Sequence, residues 1–276
     1  MIEAQYITLD ERLCYVESCG SGPPVVCIHT AGQSGVQWRE TLLGLSQAGF
    51  RVIVPDLPGH GRSEPAAGGP IRSLSDYADW CIRLFDALEL KRPFVMGCSI
   101  GGRITLDIAT KIGDDLAGII AMAAKAQSGG YFSVAGLERG REDAASPSRT
   151  DRTYYGTIAA CGRNVSPERV ALIAAMHRRE DPEVTTSDLI GWFSHDISAS
   201  VSSIRCPTYV VVGDDDFWLD LEQVRWTSAQ IPNCRTLVLE GIGHYPMEEM
   251  EDFPALAATW LQNLSEPATR SAGGQR

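Results

Sequence analysis

Pro93-Phe94-Val95-Met96-Gly97-Cys98-Ser99-Ile100-Gly101-Gly102 is the stretch on which the fold turns. Its apolar first residues read as a buried strand, and a helical pattern runs from Ile100 to Ile112. A serine between two glycines at such a strand-to-helix turn is pressed into a backbone conformation that only small neighbours permit, with its hydroxyl left outward. That geometry presents a nucleophile.

Three other segments, in fixed order, supply what a serine nucleophile needs. Upstream, Val25-Val26-Cys27-Ile28 reads as a buried strand that breaks into His29-Thr30-Ala31-Gly32, a small-residue turn whose backbone N–H groups can point at a developing oxyanion. Downstream, Thr208-Tyr209-Val210-Val211-Val212 ends in Gly213-Asp214-Asp215-Asp216, and Arg235-Thr236-Leu237-Val238-Leu239 is followed by Gly241-Ile242-Gly243-His244. Parallel strands end on one edge of their sheet, so hydroxyl, carboxylate and imidazole converge there. A hydroxyl is a poor nucleophile near neutral pH and needs a base, itself oriented by a third group. His244 is the candidate base. Spacing alone leaves Asp214, Asp215 and Asp216 open as the acid.

In this order and context the chain resembles the α/β-hydrolases. The resemblance also rests on Asp56-Leu57-Pro58-Gly59-His60-Gly61-Arg62-Ser63, which is similar to the family's D-x-x-G-x-G-x-S turn, and on Gly241-Ile242-Gly243-His244-Tyr245-Pro246 around the histidine. It implies an α/β fold: a mostly parallel eight-stranded sheet flanked by helices, with a helical cap inserted after the sixth strand. It implies Ser99, Asp216 and His244 as catalytic residues, Asp216 by the family's G-x-x-D pattern from Gly213, with Asp215 the alternative. The oxyanion hole implied is the N–H of Ala31 and of Ile100, and His29 is implied to brace that turn. One departure is Thr30, where the family has glycine. The implied reaction is acyl transfer to water through an acyl-enzyme on Ser99, on a small to medium, largely apolar carboxylic ester or lactone, with no metal or organic cofactor. Relatives that act on halides or epoxides carry an aspartate in place of Ser99. C–C bond hydrolysis of a dione, perhydrolysis, and ligand reception on a retained hydrolase scaffold are the alternatives. Relatives cleaving aromatic diones have tryptophan where this chain has Tyr245.

Composition narrows the partners. The formal net charge is −11, and polyanions such as nucleic acid or anionic lipid attract basic surfaces, so neither is expected as a ligand. The N-terminal residues lack the basic and apolar regions of a secretory signal, and no apolar run approaches the roughly 20 residues that cross a bilayer, which makes a cytoplasmic location the expectation. Eight scattered cysteines without a C-x-x-C pair predict reduced, mostly buried thiols, with Cys98 pointing inward beside Ser99. His60, His177 and His195 read as surface or hydrogen-bonded structural residues. Oligomeric state is not legible.

Along the chain, an opening hairpin, alternating strands and helices, and a helix after Ser73 with Tyr77, Trp80, Cys81, Leu84, Phe85 and Leu88 on one face predict a core of residues 1–124 and 204–264. Between 125 and 203 the strand-helix alternation lapses, with helical runs expected over 167–179 and 186–193, the segment assigned to the cap. Residues 265–276, rich in Ser, Gly, Ala and Pro, predict a disordered tail. Substrate pockets are mostly apolar with a few polar groups, so Tyr131, Phe132, Trp192, Trp218 and Tyr245 are the substrate-binding candidates.

Overall fold

The computed structural model describes residues 1–128 and 145–265. An eight-stranded sheet runs in the order β1-β2-β4-β3-β5-β6-β7-β8. The hairpin of β1 (Ile2–Leu9) and β2 (Arg12–Cys19) is antiparallel and pairs antiparallel with β4 (Arg51–Pro55). From β4 onward the pairing is parallel through β3 (Pro24–Ile28), β5 (Phe94–Cys98), β6 (Gly118–Met122), β7 (Thr208–Gly213) and β8 (Cys234–Leu239). β5, β6 and β7 are buried at every position, as their unbroken apolar runs predict for strands covered on both faces.

Helices cover the sheet. In α1 (Arg39–Gln47) Leu42 and Leu45 turn inward, and Trp38 before it is fully buried against Phe253. α2 (Leu74–Ala87) begins where the Ser73 hydroxyl accepts the Asp76 N–H, and it buries Leu74, Tyr77, Trp80, Cys81, Leu84 and Phe85. That stripe recurs at three- and four-residue steps and holds the helix to the sheet. α3 (Ile100–Ile112) follows β5 directly, and α9 (Phe253–Ser265) closes the described chain, Ser265 ending the helix rather than opening a tail. The rest of the expected tail lies outside the described residues.

The register fixes where the loops emerge. Ile28 pairs with Gly97, Cys98 with Met122, Met122 with Val211 and Gly213 with Leu239, so the C-terminal ends of β3, β5, β6, β7 and β8 lie along one edge. Between β6 and β7, among the described residues, stand α4 (Arg149–Ala160), α5 (Pro167–His177) and α6 (Pro182–Ser194). The last two correspond to the expected runs, each begun by a side-chain cap, Ser166 or Asp181, with proline in the first turn. α4 was not expected from the sequence, whereas α7 (Leu221–Gln230) stands between β7 and β8 in the alternation of the core. α4 buries only Thr157 and Ala160, so it carries no apolar stripe to read.

Candidate active site

Ser99 sits between β5 and α3 with φ 58° and ψ −120°, left-handed backbone that a non-glycine residue occupies at a cost of about 1–3 kcal/mol. Its N–H donates to the Met122 carbonyl at 3.0 Å, tying the turn to β6. The flanking glycines are required by close approach. A Cβ at Gly97 would lie 2.2 Å from the Gly101 carbonyl oxygen, and one at Gly101 would lie 2.3 Å from that of Ile28. Cys98 points inward, buried, with its thiol donating to the His244 carbonyl at 3.1 Å. Burial, then the nearby Asp216 charge, keeps that thiol protonated.

At the end of β7 the Asp216 carboxylate bonds His244 Nδ1 through Oδ2 at 2.7 Å and accepts the Trp218 N–H through Oδ1 at 3.0 Å. A carboxylate only accepts, so Nδ1 carries the proton and Nε2 is the free face of the ring. Asp214 and Asp215 point elsewhere. Asp214 accepts the Gly241 N–H at 2.6 Å and pairs with the Arg163 guanidinium, which holds its carboxyl below the usual range. Asp215 accepts the Arg163 N–H at 2.7 Å and also takes its guanidinium. The two thus tie the loop after β7 to the segment after α4.

The His244 turn is built around a residue the sequence reading missed. Glu249, in the short helix α8 (Pro246–Glu249), accepts the Gly243 N–H at 2.6 Å, the Tyr245 N–H at 2.8 Å and the Gly162 N–H at 3.0 Å. Burial raises its pKa above the ordinary carboxylate value, offset in part by these bonds. The His244 N–H donates to the carbonyl of Ala160, the last residue of α4. A glutamate five positions beyond a histidine gives no periodic signal that would have singled it out.

The turn after β3 is braced in the same way. His29 accepts the Leu57 N–H on Nε2 at 3.0 Å, so its Nδ1–H faces the Thr30 carbonyl at 2.9 Å. Burial, then the neighbouring His60, lowers its pKa to about 4, which suits a neutral brace. Thr30 donates through both its N–H, at 2.9 Å, and its hydroxyl, at 3.0 Å, to Gln37 Oε1. Gln37 Nε2 in turn donates to Glu248 at 2.8 Å. Glycine at position 30 could make only the first of these bonds.

Ser99, Ala31, His244, Tyr245, Trp192 and Trp218 all line one cavity of about 320 Å³, within the range of small-molecule sites. Ile100 opens α3, where a helix's first amides have no intrahelical acceptor. Trp192 stands edge-on to His244, ring centroids 6.3 Å apart, and is backed by the fully buried Arg103 guanidinium 4.2 Å from its ring centroid. Burial lowers the Arg103 pKa to about 9. The lining also has polar members: Arg149, Thr153, Thr157, His177, Glu180 and Thr185 reach it from the inserted helices and the turn between them. Tyr131 and Phe132 lie outside the described residues.

The other histidines are hydrogen-bonded, as expected, but all to buried carboxylates across the boundary between sheet and inserted helices. His60 Nε2 bonds Asp188 at 2.8 Å, His177 Nε2 bonds Glu248 at 2.6 Å and His195 Nε2 bonds Asp107 at 3.1 Å. All eight cysteines are free thiols. No group of three metal-ligating side chains comes together among the described residues, and no helix among them is long and apolar enough to cross a membrane.

Residues 25–256 match the model of the alpha/beta hydrolase family. Among solved structures, a thermophilic esterase from Thermogutta terrifontis superposes with a TM-score of 0.81 at 26% identity, covering 96% of this chain and 100% of that one. Lipase 1 of Psychrobacter immobilis is 25% identical over 91% of this chain and 81% of its own. A 2-hydroxy-6-oxo-6-phenylhexa-2,4-dienoate hydrolase of Burkholderia cepacia is 21% identical over 94% and 96%.

Proposed function

Because this chain belongs to the alpha/beta hydrolase family, we propose that it hydrolyses carboxylic esters or lactones of small to medium, largely apolar substrates through an acyl-enzyme on Ser99. The observation that carries the reading is the pairing of a strained, glycine-flanked serine with a histidine on the wall of the same cavity, that histidine held on its far nitrogen by Asp216 at 2.7 Å.

The chemistry follows from those contacts. His244 Nε2 takes the Ser99 proton as Oγ attacks the carbonyl carbon, and Asp216 stabilises the imidazolium that forms. The oxyanion is held by the N–H groups of Ala31 and Ile100, the first on the cavity wall and the second at the start of α3. The imidazolium then protonates the departing alkoxide, leaving an acyl-enzyme. Water, deprotonated by His244, attacks the acyl carbon, and the proton returns to Ser99 as the acid is released. No metal or organic cofactor enters these steps. Residues 125–203 serve as the cap that encloses the substrate, supported by the cavity walls that the inserted helices supply. The expected location is the cytoplasm.

The test is a fluorophosphonate label on the purified protein, run beside a panel of p-nitrophenyl esters, lactones and vinylogous diketones. The expected result is one adduct, on Ser99, with turnover of esters or lactones that the label abolishes. Cleavage of the diketones alone would move the reading to C–C bond hydrolysis, and an adduct elsewhere would remove Ser99 as nucleophile.

A further inference from the structure

The turn that carries Ala31 is held on both sides of that residue, and both holds lead to the inserted helices. On one side, the Thr30 N–H and hydroxyl end on Gln37 Oε1. An amide can rotate, and its two ends are nearly alike in shape, so something must decide which end faces Thr30. Glu248 decides it. Its Oε2 accepts from Gln37 Nε2 at 2.8 Å, and a carboxylate there forbids the carbonyl end. Glu248 is itself held by His177, the last residue of α5, at 2.6 Å, and the His177 ring also lies 3.0 Å from Gln37 Nε2. Gln37 is 4% exposed and Glu248 1%, so water does not compete for these bonds.

On the other side, the Gly32 N–H donates to Asp188 Oδ2 at 2.8 Å. Asp188 belongs to α6, is fully buried, and is fixed by His60 on the same oxygen and by the Tyr77 hydroxyl at 2.9 Å on the other. The Gln33 side chain adds a third tie, donating to the His177 carbonyl at 3.2 Å. Ala31 lies between the two fixed amides and borders the cavity.

We propose that Gln37 and Asp188 are positioning residues that clamp the peptides on either side of the one carrying the Ala31 N–H, so that the inserted helices set the aim of that N–H at the oxyanion. The inference rests on the serine hydrolase reading of the same site. It explains Thr30, whose hydroxyl doubles the bond to Gln37. Neither residue touches the reacting atoms. Each acts on the rate through the direction of one hydrogen bond, and such a bond strengthens as charge develops on the oxygen.

The experiment compares an oxygen ester with the thionoester of the same acid and leaving group, in the wild type and in Gln37→Met, Asp188→Leu and Asp188→Asn. Sulfur accepts a hydrogen bond weakly, so the oxygen-to-sulfur ratio of kcat reports on the oxyanion donors rather than on general integrity. The expected result is a fall in kcat of about tenfold to a hundredfold for the oxygen ester in Gln37→Met and Asp188→Leu, with KM held within about twofold. The oxygen-to-sulfur ratio should fall with it. Asp188→Asn keeps an oxygen for the Gly32 N–H and should restore most of both. Loss of rate with an unchanged ratio in Gln37→Met and Asp188→Leu, or an effect confined to melting temperature, would overturn the inference while leaving Ser99 in place. A wild type that hydrolyses no ester and takes no fluorophosphonate would overturn the hydrolase reading and this inference with it.

Discussion

The Asp216–His244 pair and the three histidine–carboxylate pairs at the inserted helices are chemically alike and structurally opposite. Asp216 and His244 come from loops after neighbouring parallel strands, 28 residues apart in sequence, and meet at a cavity wall. His60–Asp188, His177–Glu248 and His195–Asp107 span 128, 71 and 88 residues and join the sheet and its helices to the insertion. In the first pair Asp216 engages the Nδ1 side of the ring, and His244 lines the same cavity as Ser99. In the His177 pair the second nitrogen is also engaged, its Nδ1 lying 3.3 Å from the Thr157 hydroxyl. A histidine bonded through both nitrogens has no free nitrogen with which to move a proton, and it holds structure instead. The same two residue types therefore meet beside a cavity in one region and fasten inserted helices to the sheet and its helices in the other.

Four changes would break or sharpen that contrast. The largest effect expected is from Asp216→Asn, which should lower kcat by about 10⁴ while Asp214→Asn and Asp215→Asn change it little, because only Asp216 sets the His244 tautomer. Steady-state kinetics on the three variants decides it, and comparable losses in all three would merge the regions. Next, Asp188→Leu should cost about 3–5 kcal/mol of stability in denaturant unfolding, since it strands the His60 imidazole and the Tyr77 hydroxyl in the interior. Asp216→Asn should cost far less than that. A larger loss in Asp216→Asn would reverse the assignment.

The third concerns pH. Burial opposes charge on His60, but Asp188 outweighs it and raises the imidazole pKa above its ordinary value. Its contribution to stability is full below about pH 6.5, its unfolded value, and is lost as pH rises through the raised folded value. Asp107 and Glu248 run the other way. Burial would raise both, yet His195 holds the first low, and His177 with Gln37 holds the second low. Their contributions are present above about pH 4 and are lost as pH falls through the lowered folded values. Melting temperature against pH should form a plateau with both limbs, and His60→Gln should flatten the alkaline one. Persistence of that limb in His60→Gln would place its origin elsewhere.

The smallest effect tests the surroundings of His244. Cys98→Ala removes the thiol that donates to the His244 carbonyl at 3.1 Å, and it should change kcat by about fivefold or less, with a stability loss near 1 kcal/mol. A loss of several orders of magnitude would make Cys98 part of the chemistry.

Much of this was legible in the amino-acid sequence because it depends on local order. The unbroken apolar runs of β5 and β7, the Tyr77–Trp80–Cys81–Leu84 stripe and the small residues around Ser99 each act through neighbours in the chain, and a parallel sheet brings strand ends together whatever lies between them. So the fold, and the placing of Ser99 after one strand end and of Asp216 and His244 after two others, could be read directly. The choice among three aspartates was not local in this sense: spacing left it open, and only the family resemblance pointed to Asp216, the one that the structure brings to His244.

The rest was decided only by tertiary structure. Nothing local marks Gln37, Asp188, Glu248 or Glu249, since a buried carboxylate is defined by the partners that compensate it, and here those partners lie in other elements. Helix α4 escaped reading for a related reason: it presents threonine and arginine to the cavity and so lacks an apolar period. Sequence order determined which groups the sheet edge would carry, because strand direction is a local property. Their aim was set by long-range hydrogen bonds, whose energy in a dry interior depends on which distant side chains arrive there.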